Sequence, residues 1–338
     1  MKTLLYTQEF PPFKGGVARY YGELAAHWPR PAELFVLSRQ YRGHFWQYFC
    51  QFFDLFYHLK KYKIEYILVG QILPLGPVTR VLSLCLSLKY AVFLHGMDFT
   101  FALKQPRKAW LTKLILSDAH KIICANTYTA GLVQEKFPDL AAKIVVVNPG
   151  VSEYEARVEL PLLAELKDRP LLLSIGRLVE RKGFASIIKV LPPDFNYVII
   201  GTGPDEAKLK ALAKDNVFFV GAVSEASKWS WLEKCDIFIM PAQDLNGDFE
   251  GFGIVYLEAN LVGKPVIAGN SGGVKDAVVD GLNGLLVDPN NLEELRAAIL
   301  KLGQDRELRE KLGAEGQRRA RQYFSWDKKA KEVFDNMN

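Results

Sequence analysis

Short apolar runs alternate along this chain with helix-length amphipathic segments, and the alternation runs its course twice. The first series of strand candidates is Thr3–Tyr6, Leu34–Leu37, Tyr66–Val69, Ala91–Leu94, Lys121–Cys124 and Ile144–Val147. The second is Leu171–Ser174, Tyr197–Ile200, Val217–Val220, Ile237–Met240, Pro265–Ala268 and Gly284–Val287. Runs that are apolar throughout suit strands covered on both faces, and a helix between successive strands is what a parallel crossover requires. The chain therefore reads as α/β, with two doubly wound parallel sheets in tandem.

Its 338 residues suit two domains of ordinary size. Residues 1–152 are expected to form one Rossmann-like domain and residues 169–322 a second, with 153–168 as linker. Residues 323–338 read as a C-terminal helix that returns to the first domain. The stretch from Asn148 to Asp168, with Pro149-Gly150 and a charged run, marks the junction. Two such domains would face a central cleft at the carboxyl ends of their strands, where ligands bind in sheets of this kind.

Composition narrows the function classes. Residues 1–155 hold 18 Lys and Arg against 11 Asp and Glu, a net +7, whereas residues 156–338 hold 25 against 27, a net −2. A basic first half suits an anionic acceptor or an anionic lipid surface, and equally a scattered solvated surface. Cys50, Cys85, Cys124 and Cys235 lie far apart, without a CxxC pair or zinc spacing, and read as reduced thiols. The N-terminus lacks the features of a secretory signal, since Gln8 and Glu9 interrupt its apolar run at once. The longest apolar stretch, Val81 to Leu94, is broken by Lys89 and too short to cross a bilayer. The protein is thus expected to be cytoplasmic.

Four loci carry candidate chemistry. Glu250-Gly251-Phe252-Gly253-Ile254-Val255-Tyr256-Leu257-Glu258 follows a strand and a polar loop and opens a helix. A helix N-terminus offers unpaired N–H donors and partial positive charge to an anion or a sugar. Glu250 stands just before that helix and Glu258 about two turns into it. Arg177 and Lys182, on a strand-end loop, are two cations suited to a diphosphate whose charge grows as it departs. No Asp-x-Asp is present to place a metal there. Gly15-Gly16 opens the first helix, where small residues permit close approach. Gly201-Thr202-Gly203-Pro204 invites a dinucleotide reading, but Glu206 replaces the third glycine and argues against it.

Taken together these runs resemble glycosyltransferase family 4, of the GT-B fold. The family's Glu-x7-Glu matches Glu250 to Glu258, followed by Gly263-Lys264-Pro265-Val266-Ile267 and Ser271-Gly272-Gly273. Its Gly-Arg-x4-Lys-Gly matches Gly176 to Gly183, and its Gly-x-Gly-Pro matches Gly201 to Pro204. Asn148-Pro149-Gly150-Val151 resembles its interdomain link, and Gly15-Gly16 and His95-Gly96-Met97-Asp98 its N-terminal motifs. The resemblance implies a retaining transfer of a hexose from a nucleoside diphosphate sugar to an acceptor hydroxyl, by internal return in which the leaving phosphate deprotonates the acceptor. It implies catalytic or transition-state roles for His95, Asp98, Arg177, Lys182 and Glu250, with His95 on the transferred sugar. Substrate contacts fall to Gly15, Gly16, Gly203, Val223, Phe252, Gly253, Ile254 and Glu258. Glu250 is assigned to the sugar and Glu258 to the ribose.

No cofactor, no metal and no nucleic-acid partner are expected. The run from Glu250 resembles bacterial mannosyltransferases acting on phosphatidylinositol mannosides, so GDP-mannose leads among donors, and a glycolipid or polysaccharide precursor among acceptors. A UDP-sugar donor, a GT-B-like epimerase and a non-catalytic nucleotide-sugar-binding partner are the alternatives.

One segment stays outside these motifs. From His44 to Lys61, Gln47, Gln51, Asp54, His58 and Lys61 form a polar helical stripe, opposite Phe45, Phe49, Phe52, Phe56 and Leu59, with Trp46, Phe53 and Tyr57 widening the apolar side. The aromatic face either packs on the sheet or, near Arg39, Arg42, Lys60, Lys61 and Lys63, touches the inner face of a membrane.

Overall fold

A computed structural model of the chain describes residues 1–13, 15–40, 46–160, 166 and 168–337, apart from the side chain of Gln47. Arg42, His44, Phe45 and much of the expected linker (161–165 and 167) lie outside the described residues. Packing divides the chain into two compact units, Met1–Gly150 with Trp326–Asn338, and Val151–Ser325.

The first unit holds strands β1 (Thr3–Thr7), β2 (Leu34–Ser38), β3 (Tyr66–Val69), β4 (Lys89–Leu94), β5 (Lys121–Cys124) and β6 (Ile144–Val146). Its helices are α1 (Gly16–Ala26), α2 (Trp46–Tyr62), α3 (Ile72–Leu86), α4 (Met97–Leu103), α5 (Pro106–Asp118) and α6 (Thr127–Lys136). The second unit holds β7 (Leu171–Ile175), β8 (Asn196–Ile200), β9 (Val217–Gly221), β10 (Ile237–Met240), β11 (Val266–Gly269) and β12 (Gly284–Val287). Its helices are α7 (Phe184–Val190), α8 (Glu206–Leu212), α9 (Glu225–Lys234), α10 (Ile254–Leu261), α11 (Val274–Ala277), α12 (Leu292–Gln304) and α13 (Arg306–Tyr323). A last helix, α14 (Trp326–Asp335), packs on α1 in the first unit.

Each sheet has six parallel strands, in the orders β2-β1-β3-β4-β5-β6 and β12-β11-β10-β7-β8-β9. Every strand falls where its apolar run predicts. The alternation of side chains splits each core into two layers, which is what a doubly wound sheet needs. In the first unit Leu4, Tyr6, Ile67 and Val92 share one layer, and Leu5, Tyr66, Leu68, Ala91 and Phe93 the other, with α1 and α14. In the second, Leu171, Leu173, Val198 and Phe238 oppose Leu172, Tyr197, Ile199 and Ile237.

Helix α2 divides its aromatic face between the two readings left open above. The residues facing the core are Gln51, Leu55 and Leu59, one turn apart, with Phe52 packed against them. Phe49 and Phe56 of the aromatic face are exposed, while Gln51 of the polar stripe is fully buried. Neither polar atom of the Gln51 amide meets a hydrogen-bond partner among the described residues. The two leucines set the seam, and the larger aromatics are displaced to its flank. Trp46, Phe49, Phe53 and Tyr57 recur at helical spacing and form a stripe that is 71%, 52%, 53% and 56% exposed.

Candidate active site

In the second sheet the chain leaves β7 toward β8 and β9, and leaves β10 toward β11 and β12, so the loops after β7 and β10 part in opposite directions. Crevices of that origin bind ligands in open α/β sheets. The loop after β7 ends in a turn, Glu180–Lys182, closed by Gly183 in the left-handed region. The loop after β10 carries Asp248 and Glu250. Backbone bonds join the two loops: Gln243 N donates to Arg181 O at 2.8 Å, and Gln243 Nε2 to Glu180 O at 3.2 Å.

This stitching brings four charged side chains together. Lys182 Nζ lies 2.7 Å from Glu250 Oε2. Arg181 Nη1 donates to the same oxygen at 2.7 Å, while its Nε lies 3.0 Å from Asp248 Oδ1. Burial alone would raise the Glu250 carboxyl, but the Lys182 and Arg181 cations outweigh it and hold the group below the usual carboxylate range. Glu250 is therefore ionised at neutral pH. The Lys182 side chain runs along Gly176, 3.4 Å from where a β-carbon would stand. Arg177, the other predicted cation, is exposed on the same loop. Arg181 was not among the residues the sequence singled out. It falls within the unspecified positions of its motif, and only its place beside Lys182 hinted at it.

Glu258 sits in the core side of α10, where Lys228 Nζ of α9 donates to its Oε1 at 2.8 Å. Both side chains are buried, and Lys228 also pairs with Glu225 at 2.8 Å. Lys228 is a second residue the sequence left unremarked, because nothing local links it to Glu258. Glu250 thus precedes α10 by four residues and Glu258 lies one turn inside it, and the two are held by different cations.

The other predicted donor contacts are backbone features. The Phe252 ring is buried in the core against Phe324, so only its main chain can serve a ligand. Gly253 caps α10 at φ +77°, a conformation side chains disfavour, and the Tyr256 ring fills the space of a β-carbon there. Ile254 and Val223 are half-buried against the same core. Gly203 lets its loop lie against the Leu178 backbone, leaving no room for a side chain.

In the first unit, His95 ends β4. Its Nε2 lies 2.9 Å from Tyr21 Oη, which donates to Gly70 O at 2.6 Å. Tyr20, Tyr21 and Phe93 pack around the imidazole, and burial lowers its pKa to about 4. Tyr21 too was missed, since it reads as an ordinary apolar-face residue of α1. Asp98 Oδ1 accepts from His95 N at 3.0 Å and Gly96 N at 2.9 Å, so this carboxylate folds the turn that presents His95. Its Oδ2 is buried and meets no hydrogen-bond partner among the described residues, and burial raises the group to about 6. Gly15 and Gly16 open α1. A β-carbon at Gly16 would meet nothing within 4 Å, so packing does not dictate glycine there. Among the described residues, no group of three or more His, Cys, Asp and Glu side chains is arranged to hold a metal ion.

Comparison with known proteins identifies the family and the fold. The sequence model of the family described as glycosyl transferases group 1 matches residues 162–319. An uncharacterized glycosyltransferase of Methanocaldococcus jannaschii is 30% identical over 260 residues, 75% of this chain and 70% of that one. The GDP-mannose-dependent alpha-(1-6)-phosphatidylinositol monomannoside mannosyltransferase of Mycobacterium tuberculosis is 27% identical, across 99% of this chain and 97% of its own. Among solved structures, Anabaena HepE in complex with UDP superposes with a TM-score of 0.77 at 18% identity, over 100% of this chain and 99% of that one. The fold is GT-B.

Proposed function

The chain belongs to the glycosyl transferases group 1, and from that premise we propose that it transfers mannose from GDP-mannose to a hydroxyl of a glycolipid or polysaccharide precursor, with retention at the anomeric carbon. The observation that carries this reading is the convergence of Lys182 and Glu250, with Arg181, at the crevice between the loops after β7 and β10. The donor lies across the amino end of α10. Lys182 and Arg177 take the diphosphate, Glu250 a hydroxyl of the sugar, and Glu258 the ribose. Gly203, Val223, Phe252, Gly253 and Ile254 line its path.

As the bond from the anomeric carbon to the diphosphate oxygen breaks, negative charge gathers on the leaving group and positive charge on the sugar ring. Lys182 and Arg177 stabilise the first without a metal, and the Glu250 carboxylate, kept ionised by its neighbours, stabilises the second. The acceptor proton passes to the departing phosphate on the same face, and the acceptor oxygen forms the new bond there. Gly15, Gly16 and His95 serve the acceptor and the transferred sugar. Asp98 acts through the His95 turn, whose amides it holds.

The choice of GDP-mannose rests on the mycobacterial relative, whose name specifies that donor. The UDP bound to Anabaena HepE favours a second reading, the same transfer from a UDP-sugar. A thermal-shift panel of GDP, UDP and ADP with their sugars decides, because selective binding raises the melting temperature by mass action. Stabilisation by GDP-mannose above the others supports the first reading. No response to any nucleotide overturns both.

The proposal extends to location: the protein works peripherally on the cytoplasmic face of a membrane. Supporting it, the exposed aromatic stripe of α2 ends at Lys60 and Lys61, and residues 1–155 carry a net +7. No described helix is long and apolar enough to cross a bilayer.

A further inference from the structure

A count of protons at the end of β4 leads beyond these roles. A carbonyl oxygen can only accept, so the 2.6 Å contact between Tyr21 Oη and Gly70 O consumes the one proton the phenol owns. Tyr21 Oη also lies 2.9 Å from His95 Nε2. With its proton already directed at Gly70, the phenol can only accept there, so the imidazole must donate. Nε2 therefore carries the ring proton, and Nδ1 is left with a lone pair that, among the described residues, meets no donor.

The surroundings keep this arrangement in place. Tyr21 is fully buried in α1, so its hydroxyl is held by packing as well as by bonding. Gly70 follows β3, and a β-carbon there would collide with Thr7 and press on the Tyr21 ring. The imidazole is edged by the Tyr20 and Tyr21 rings at 5.0 and 5.5 Å. Asp98 holds the backbone on which it is mounted, through the amides of His95 and Gly96. Burial lowers the ring's pKa to about 4, consistent with a neutral imidazole whose second nitrogen is not protonated at neutral pH.

We infer that Tyr21 is a positioning residue that fixes His95 as the Nε2–H tautomer and so makes Nδ1 an obligate acceptor, selecting a substrate group that donates a hydrogen bond. For a sugar site this means a hydroxyl acting as donor. A deoxy sugar, or one with fluorine in place of that hydroxyl, is rejected. This rests on the proposed contact between His95 and the transferred sugar, whereas the tautomer itself does not.

Nitrogen-detected NMR of protein labelled with 15N-histidine tests the tautomer with no substrate present. The signals of His95 are identified by their loss in His95→Gln. The expected result is a neutral imidazole with a pyrrole-type Nε2, a pyridine-type Nδ1 and a slowly exchanging Nε2 proton. Tyr21→Phe removes the acceptor, and the protected proton signal should then be lost while the remaining spectrum is kept. A proton on Nδ1 in the unaltered protein, or Nε2 exchange unaffected in a folded Tyr21→Phe, would overturn the inference. The first of these outcomes does not depend on Tyr21→Phe, so a failure of that variant to fold leaves the inference exposed to disproof. In turnover assays Tyr21→Phe should lower kcat/KM for the donor by about tenfold, the scale of one lost hydrogen bond. If the protein moves no sugar, the functional proposal fails and the tautomer stands on the NMR alone. If it moves sugar with Nδ1 protonated, the inference alone fails.

Discussion

Lys182 Nζ and Arg181 Nη1 both lie 2.7 Å from one atom, Oε2 of Glu250, so adjacent cations on the loop after β7 hold a single carboxylate on the loop after β10. Removing either should be felt through Glu250. Lys182→Ala also removes the charge proposed to face the leaving diphosphate and should raise the barrier by on the order of 2–4 kcal/mol. It should lower kcat by more than it weakens binding of the bare nucleotide. Unchanged turnover would remove Lys182 from the site.

Arg181→Met should leave its mark in a pH profile. With both cations present, Glu250 is ionised to below the usual carboxylate range, and Tyr256 is the other titratable group against it. The stabilisation this provides is present above the carboxyl's unfolded pKa and is lost as pH falls through the lower folded one. Without Arg181, burial regains weight against Lys182 alone, and the acid limb of kcat/KM should move to higher pH. Arg181→Lys should restore part of the shift. An acid limb that does not move would show that Lys182 suffices.

The pair of Lys228 and Glu258 is buried, so Lys228→Met takes away the cation beside a buried carboxylate. It should cost about 3–5 kcal/mol of stability, read from urea unfolding. Lys228→Met with Glu258→Leu should cost less than the sum of the two single changes, because the two side chains act as one pair. A single change without effect on the midpoint would mean that the ion pair is not formed in solution.

These two glutamates also illustrate what the sequence could tell. Their presence and spacing were legible, and so were all the strands, because a strand covered on both faces must be apolar along its length. Arg181, Lys228 and Tyr21 were not legible. Each acts through a residue distant in the chain, and contacts made by folding leave no local periodicity. Helix α2 shows a different limit. Its aromatics outnumber what one seam can bury, so composition marked the helix as amphipathic but could not say that Leu55 and Leu59 would win the core and leave Phe49 and Phe53 outside.

That outward stripe makes a prediction of its own. Binding to vesicles should rise with the fraction of anionic lipid and fall with salt. Replacing Trp46, Phe49 and Phe53 by serine should reduce it without lowering the melting temperature, since none of the three is buried. Equal and negligible sedimentation with neutral and anionic vesicles would contradict a membrane role.

The absence of Asp-x-Asp and the presence of Lys182 at the site lead to the expectation that divalent metal is dispensable. Turnover in excess EDTA should match that in magnesium. A loss of activity that magnesium or manganese restores would show that the side chains do not carry the diphosphate charge alone.

Transfer of a sugar with retention from a nucleoside diphosphate donor is tested most directly by proton NMR of GDP-mannose incubated with the protein and a phosphatidylinositol mannoside acceptor, run beside Lys182→Ala. The expected result is GDP release matched by a new α-linked mannose, the configuration of the donor preserved, and both nearly abolished in the variant. A β-linked product would contradict retention, and transfer undiminished by Lys182→Ala would contradict the site.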